Sequence, residues 1–261
     1  MALDKSLHPA WEKFNAWWQV HHSEEHMDSF KDQFTSHPLL SVAMDMNRTI
    51  TVVTDLHSMK YVYLNGNTKE HLGWDQQHYL EEGVQFAFSK VHRDDIPAVQ
   101  SFSEQINAYY QSLPEHEKPA HKAYWDARFV QPDGNYLRVI FQDCALKNDS
   151  RGNIALLLSL ITNITNTKGS TGNHLRLTNG IENRLFMFDH AENKLHELQC
   201  PTDRELEVMR YVSQGYHRLE IAKRMSIALA TVKTHCRHTY EKLRTNDSMD
   251  TINLLRMMGL I

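Results

Sequence analysis

The stretch from Pro201 to Ile261 constrains the fold most, because helix starts, stops and spacing all fall within it. Thr202 and Glu205 form a Thr-x-x-Glu capping box, in which the hydroxyl accepts from the Glu205 amide and the carboxylate accepts from the Thr202 amide. Leu206, Met209, Tyr211 and Val212 follow at helical spacing, and Gly215 suits the left-handed residue that ends such a helix. A second helix carries Leu219, Ile221, Ala222 and Met225. A tight turn around Ser226 and Ile227 leads to a third, from about Leu229 to Leu243, and a fourth carries Ile252, Leu254, Leu255 and Met258. Two helices across a short turn, the second rich in Thr, Lys, Arg and His, predict a helix-turn-helix whose second helix enters the major groove. Lys233 and Arg237 share a face, with Thr231, Thr234 and His238 near it. Val232, Cys236, Tyr240 and Leu243 form the opposite, inward stripe. A bundle helix with a merely solvated charged face is the other reading of that periodicity.

The segment resembles the LuxR-type (GerE-type) DNA-binding domain. The resemblance rests on Thr202-Asp203-Arg204-Glu205, Gly215, Glu220-Ile221-Ala222, Thr231-Val232-Lys233-Thr234-His235, Lys242-Leu243 and Gly259-Leu260-Ile261, in register and without gaps. It implies four helices, the third reading DNA through Thr231, Lys233, Thr234, Arg237, His238 and Lys242, and the fourth often pairing protomers. The chain departs from the family pattern at His217-Arg218, Ala228, Arg244-Thr245 and Ser248. Ala228 removes the usual hydroxyl cap of the recognition helix, a loss of about 1 kcal/mol.

At 261 residues the chain has length for two domains, and 41% hydrophobic with 23% charged residues is a globular composition. No apolar run reaches membrane-spanning length, and Met1 to Lys5 lacks a signal-peptide start, so a cytoplasmic protein without membrane contact is expected. Cys144, Cys200 and Cys236 are scattered, as suits a reducing compartment. The net charge of -4 hides an asymmetry: from Pro201 onward ten Lys/Arg face seven Asp/Glu, a mildly basic end on an acidic body.

Ahead of this end the pattern changes twice. Residues from about Asp4 to His37 read as helical, with Trp11, Phe14 and Trp18 on one stripe, Trp17 beside it, and Phe30 and Phe34 further on. Such a stripe packs on its own domain or on a second copy. His22 and His26, next to His21, have the spacing of a helical metal pair but lack a third ligand, so no metal is expected. From Ile50 the chain is β-rich. Ile50 to Asp55 and Lys60 to Leu64 predict a hairpin. A long helix is expected from about Asp94 to Ser112, then strands over Ala123–Gln131, Tyr136–Lys147 and Ile154–Ile164, separated by strong turns at Pro132-Asp133-Gly134-Asn135 and Asn148 to Asn153. Residues from Thr165 to Asn179, rich in Asn, Thr and Gly, read as a linker; Leu185–Phe188 and Lys194–Leu198 leave a small hairpin or a docking segment open.

This order resembles a PAS domain over roughly Met46 to Thr167, marked by Tyr63-x-Asn65, Leu72-Gly73-Trp74, Val91-His92-Arg93-Asp94-Asp95, Pro132-Asp133-Gly134 and Asn163-Ile164-Thr165. The resemblance implies a sensor and dimerisation module. The expected fold class is α+β: a PAS-like five-stranded antiparallel sheet with helices, then an all-α four-helix helix-turn-helix domain. The divisions are a helical segment over 1–45, the PAS-like domain over 46–167, a linker over 168–200 and the DNA-binding domain over 201–261. Cofactor signatures are missing. Cys144 lies on a strand and not on the helix of a flavin-adduct motif, and His92, His116 and His121 flank the long helix where haem would need a ligand within reach. No cofactor is expected. A small molecule in an apolar pocket lined by residues such as Phe86, Phe88, Phe102, Tyr124, Phe129 and Phe141 is compatible with the pattern.

These readings converge on a non-enzymatic transcription regulator that binds double-stranded DNA as a homodimer under control of its sensor, with RNA polymerase as a further candidate partner. The alternative is a protein-interaction module with weak or vestigial DNA binding, suggested by Ala228 and His217-Arg218. A phosphorylated receiver is disfavoured by the strand-rich meander. No nucleophile–base–acid set marks an enzyme.

Overall fold

The computed structural model describes residues 8–21, 49–165 and 172–261. His22, His26, Phe30, Phe34 and residues 166–171 lie outside the described part, as do the side chains of Trp17, Trp18 and His21. Helix α1 (His8–His21) comes first. Strands β1 (Ile50–Asp55) and β2 (Lys60–Asn65) form the hairpin, followed by the short helices α2 (Thr68–Leu72), α3 (Gln76–Glu82) and α4 (Val84–Ser89) and the long helix α5 (Ile96–Ser112). Strands β3 (Lys122–Val130), β4 (Tyr136–Asn148) and β5 (Ile154–Asn163) make the meander.

Local chemistry places these elements. Asn67 caps α2 by accepting from the Glu70 amide at 3.1 Å. Gly83, between α3 and α4, has φ +69, and a Cβ there would lie 2.3 Å from the Met59 carbonyl oxygen, so the position admits glycine only. A 3-10 turn at Arg93–Asp95 precedes α5, which starts with Pro97 in its first turn, where a missing N–H costs nothing. Helix α5 buries Ile96, Val99, Phe102, Ile106 and Tyr110 against the sheet.

The sheet has eight strands, not five. Strands β6 (Asn173–Thr178), β7 (Asn183–Asp189) and β8 (Lys194–Leu198) stand where the sequence pattern suggests a linker followed by a small hairpin or a docking segment. The order is β2-β1-β5-β4-β3-β6-β7-β8, antiparallel throughout. The first five strands have the PAS-like order. Asn, Thr and Gly suggested a linker near Asn173, yet every residue of β6 is buried. Leu175 and Leu177 join the core under α5, while the alternate residues His174, Arg176 and Thr178 face the other side, which the C-terminal helices cover. A strand covered on both faces cannot be judged by its polar fraction.

Buried ion pairs weld the extension to the PAS-like strands. Asp95 is fully buried: its carboxylate accepts from the Arg128 amide at 2.7 Å, from the Arg128 guanidinium at 2.5 Å and from Asn173 Nδ2 at 3.1 Å. Burial alone would push the Asp95 carboxyl up, but these hydrogen bonds outweigh it and hold it below the usual range. Asp126, also fully buried, pairs with Arg138 and accepts from the His174 amide at 2.8 Å.

The described residues of the α1 stripe, Trp11 and Phe14, pack on their own domain, one of the two partners expected for the stripe. Trp11 and Phe14 meet Phe88 at ring distances of 5.6 and 4.9 Å.

The C-terminal domain comprises α6 (Asp203–Ser213), α7 (Arg218–Met225), α8 (Leu229–Leu243) and α9 (Ser248–Met257). Its apolar core includes Leu206, Met209, Ile221, Val232, Cys236, Leu243, Ile252, Leu254, Leu255 and Met258. Leu185 and Leu198, from β7 and β8, belong to the same cluster. Arg176 of β6 donates to the carbonyls of Met258 and Gly259 at the end of α9. Leu219, one of the apolar residues that mark this helix in the sequence, is 56% exposed, because α7 turns Ile221, Ala222 and Met225 to the core and leaves Leu219 on the far side.

Candidate functional site

Two regions carry functional chemistry. The first is the outer face of α8. Helix α6, its main support, starts at the expected capping box: the Glu205 amide donates to Thr202 Oγ1 at 3.4 Å and the Thr202 amide to Glu205 Oε2 at 2.7 Å. Helix α7 ends at Ser226 in the left-handed region, with the Ile227 amide donating to the Ala222 carbonyl at 3.0 Å. Three residues, Ser226 to Ala228, then connect α7 to α8, the helix-turn-helix spacing. Ala228 provides no side-chain cap.

On α8, Val232, Cys236 and Leu243 are buried and Tyr240 is half-buried against them, as the periodicity predicts. Thr239 is buried too, its hydroxyl donating to the His235 carbonyl at 2.9 Å. Thr231, Lys233, Thr234 and Arg237 are exposed. Lys233 makes no ion pair among the described residues, Arg237 pairs with Glu241 at 2.8 Å in solvent, and the Thr234 hydroxyl donates to the Ala230 carbonyl at 3.0 Å. His238 and Lys242 are half-buried and turn towards α6: Lys242 Nζ lies 2.7 Å from Glu205 Oε2, and His238 Nδ1 is 3.9 Å from Glu205 Oε1. Burial would raise the Glu205 carboxyl, but Lys242 and Thr202 hold it below the usual range. The charge of Lys242 is thus used inside the domain. Arg218, noted in the sequence only as a departure from the family pattern, interacts with Cys236 and Tyr240, bracing α7 on α8. Nothing in its spacing signals that role.

The second region is a cavity of about 130 Å³ between the sheet and the helices of the PAS-like layer, enclosed on one side by Phe14. Phe88, Phe129 and Phe141 line it as expected. Phe86 and Phe102 are core residues outside the lining. Tyr124 lies on the opposite face of β3, beneath the Arg176 guanidinium at 5.1 Å, because strand alternation gives the inward position to its neighbour Trp125. Trp125 stacks on Phe141 at 3.9 Å and 4°. Its indole N–H donates to Asp143 Oδ2 at 2.6 Å. Burial pushes the Asp143 carboxyl up to about 6, against the opposing hydrogen bonds from Ser159 and Trp125. Asp143 was missed in the sequence; the only available signal was an acid at an inward position of an otherwise apolar strand.

The other candidates sit elsewhere. His92 caps the 3-10 turn by accepting from the Asp94 amide at 3.3 Å, and His121 meets the Tyr109 hydroxyl at 2.5 Å. Cys144 is half-buried on β4, its thiol pushed up by burial. None of the three lines the cavity. Asp189, Glu192 and His196, around the β7–β8 turn, bring potential ligand atoms within 4.8 Å of one another. These groups are also held in the turn's own bonds, Asp189 accepting from the Ala191 amide at 2.9 Å and His196 meeting Glu192 at 2.9 Å.

Helices α6 to α9, with a hydroxyl- and cation-bearing face on the second helix of a tight turn, define a helix-turn-helix DNA-binding domain. Residues 202–255 match the family described as GerE: bacterial regulatory proteins, luxR family, so this segment is a LuxR-type domain and the chain is a DNA-binding regulator of transcription. Among solved structures the chain is similar to the N-terminal domain of a diguanylate cyclase with PAS/PAC sensor from Marinobacter aquaeolei, at 18% identity over 45% of this chain and 95% of that one, TM-score 0.36. It is similar to VqmA of Vibrio cholera in a ligand–DNA complex, at 18% identity over 86% and 90%, TM-score 0.30. It is also similar to a phage VqmA–DPO complex, at 15% identity over 90% and 92%, TM-score 0.32. Among the described residues no helix is long and apolar enough to cross a membrane.

Proposed function

We propose that this chain is a ligand-responsive transcription regulator that binds two-fold-symmetric DNA as a homodimer. Residues 46–167 act as the sensor and 201–261 read DNA. The single observation that carries the reading is α8, whose outer face offers Thr231, Lys233, Thr234 and Arg237 to solvent while its inner face is locked into a filled core. Cations and hydroxyls on one rigid face suit phosphates and base edges. A dimer would set two such helices about 34 Å apart, one duplex turn. His238 and Lys242 belong to this surface through their neighbours, holding α8 on α6 by way of Glu205. The apolar cavity supports a small-molecule signal. Such a molecule controls DNA binding only to the extent that it binds one arrangement of the chain better than another. The eight-stranded sheet supports a short route for that control, since β6 to β8 touch both the core under α5 and the C-terminal helices.

The test is selection of genomic fragments by the purified full-length protein, followed by titration of a recovered site over a range of salt. Lys233→Ala and Arg237→Ala, each folded, are expected to weaken binding. Loss of a phosphate contact at Lys233 would weaken all sequences alike and lower the salt slope by about one unit. Unchanged affinity in both variants overturns the assignment of α8. Adding RNA polymerase to the same site in a transcription assay reads out whether the regulator contacts it.

A further inference from the structure

We propose that Asp143 is the polar anchor of the sensor cavity and selects ligands of about one ring in size that carry a protonated amine, with the Asp143 carboxylate as acceptor. The inference rests on the reading of the cavity as the ligand site and names the chemistry it recognises.

Cavity size sets the first limit. An apolar cavity of about 150 Å³ takes up benzene, so about 130 Å³ suits one ring or its equivalent. The wall sets the second. Val52, Leu56, Val99, Ile106, Phe129 and Ile161 make most of it apolar, with the stacked Trp125 and Phe141 on the sheet side. The third limit is Asp143 itself. It is 4% exposed, its Oδ2 is taken by the Trp125 indole, and the cross-strand neighbour Ser159 is the other group that steadies the carboxyl, but Oδ1 has no partner at full hydrogen-bond distance and geometry. A buried acceptor left unmet is costly, and a buried carboxylate more so.

The comparison within the same sheet is direct. Asp95 and Asp126 are as deeply buried, and each is paired with an arginine, Arg128 and Arg138. Among the described residues no Lys, Arg or His lines the cavity beside Asp143. The hydroxyl-bearing side chains of Thr54, Ser103, Ser159 and Tyr61 complete the polar part of the lining, and none supplies a positive charge. The missing cation is therefore the ligand's to provide. An ammonium against the Asp143 carboxylate makes a charge-assisted hydrogen bond, with aromatic faces nearby to favour it further. An anionic ligand of the same size meets a like charge in a low-dielectric site.

Three probes of one shape separate these terms: benzylamine, toluene and benzoate. Each is titrated into the full chain and into Asp143→Asn by ligand-observed NMR, with thermal shift as a second readout. In the wild type, benzylamine is expected to bind about tenfold or more tighter than toluene, the factor a charge-assisted bond supplies, and benzoate weakest. In Asp143→Asn, benzylamine loses that advantage while toluene binds at least as well as before. Equal binding of benzylamine and toluene to the wild type overturns the role of Asp143 but leaves the cavity as a ligand site. Unchanged benzylamine binding in Asp143→Asn does the same. If none of the three binds the folded protein, the cavity is not a ligand site, and both this inference and the sensor part of the proposed function fall.

Discussion

Glu205 and Asp143 are two carboxylates buried to almost the same degree, 3% and 4% exposed, in the two halves of the molecule. Their chemistry diverges because their partners do. Glu205 sits between α6 and α8 with Lys242 Nζ at 2.7 Å and the Thr202 amide at 2.7 Å, and it is held below the usual carboxylate range. Asp143 faces an apolar cavity with one oxygen unmet and is pushed up to about 6. Burial alone thus says nothing about what a carboxylate does. A satisfied one fixes the angle at which α8 is held on α6; an unsatisfied one marks a place where the fold leaves room for something else.

Removing the partner of the satisfied group has the largest effect expected here. Lys242→Met leaves Glu205 buried without its cation and should cost about 3 to 5 kcal/mol, measured by urea unfolding of the full chain at neutral pH. In the wild type the pair's contribution is present above the unfolded carboxyl value and is lost as pH falls through the lower folded one. The cost of Lys242→Met should shrink in acid accordingly, and a pH-independent cost would mean the lysine acts by packing.

Asp143 carries the opposite sign. Burial raises its folded value to about 6, above that of a carboxyl in the unfolded chain, so its contribution is fully present below about pH 4 and is lost as pH rises to about 6. Asp143→Asn should then stabilise the ligand-free protein at pH 7 by up to about 3 kcal/mol and have little effect at pH 4. Unfolding curves at the two pH values check this; a destabilised variant at pH 7 would mean the carboxylate is satisfied after all.

The smallest effect concerns the backbone. Arg244, just past α8, has φ +52, where a side chain clashes with the following carbonyl. Arg244→Gly should raise stability by about 1 kcal/mol, read as a higher unfolding midpoint, and no change would show that Arg244 contacts offset the strain.

The C-terminal domain was legible because each of its signals is local. The Thr202–Glu205 box, the spacing of Ile252, Leu254, Leu255 and Met258, and the inward stripe of α8 all act within one or two turns of the chain. The resemblance to the LuxR-type pattern rests on the same residues. The PAS-like strands and α5 were legible for the same reason, through alternation, turns and a continuous apolar face. What periodicity misplaced were single residues at the edge of a pattern. Leu219 counted as apolar but falls outside the core-facing arc of α7, and Tyr124 counted as a pocket aromatic but lies one residue out of phase.

Local pattern by itself, then, determined the element types, the order of the sheet-and-helix half and the helix-turn-helix face. Tertiary structure alone decided three further things. It made a strand of Asn173–Thr178, because a segment whose polar residues are covered from both sides cannot announce itself by composition. It withdrew Lys242 from solvent, because the partner Glu205 is 37 residues away in sequence. And among the described residues it left Asp143 without a cation, because whether a buried charge is matched depends on side chains that only the packed fold brings within reach.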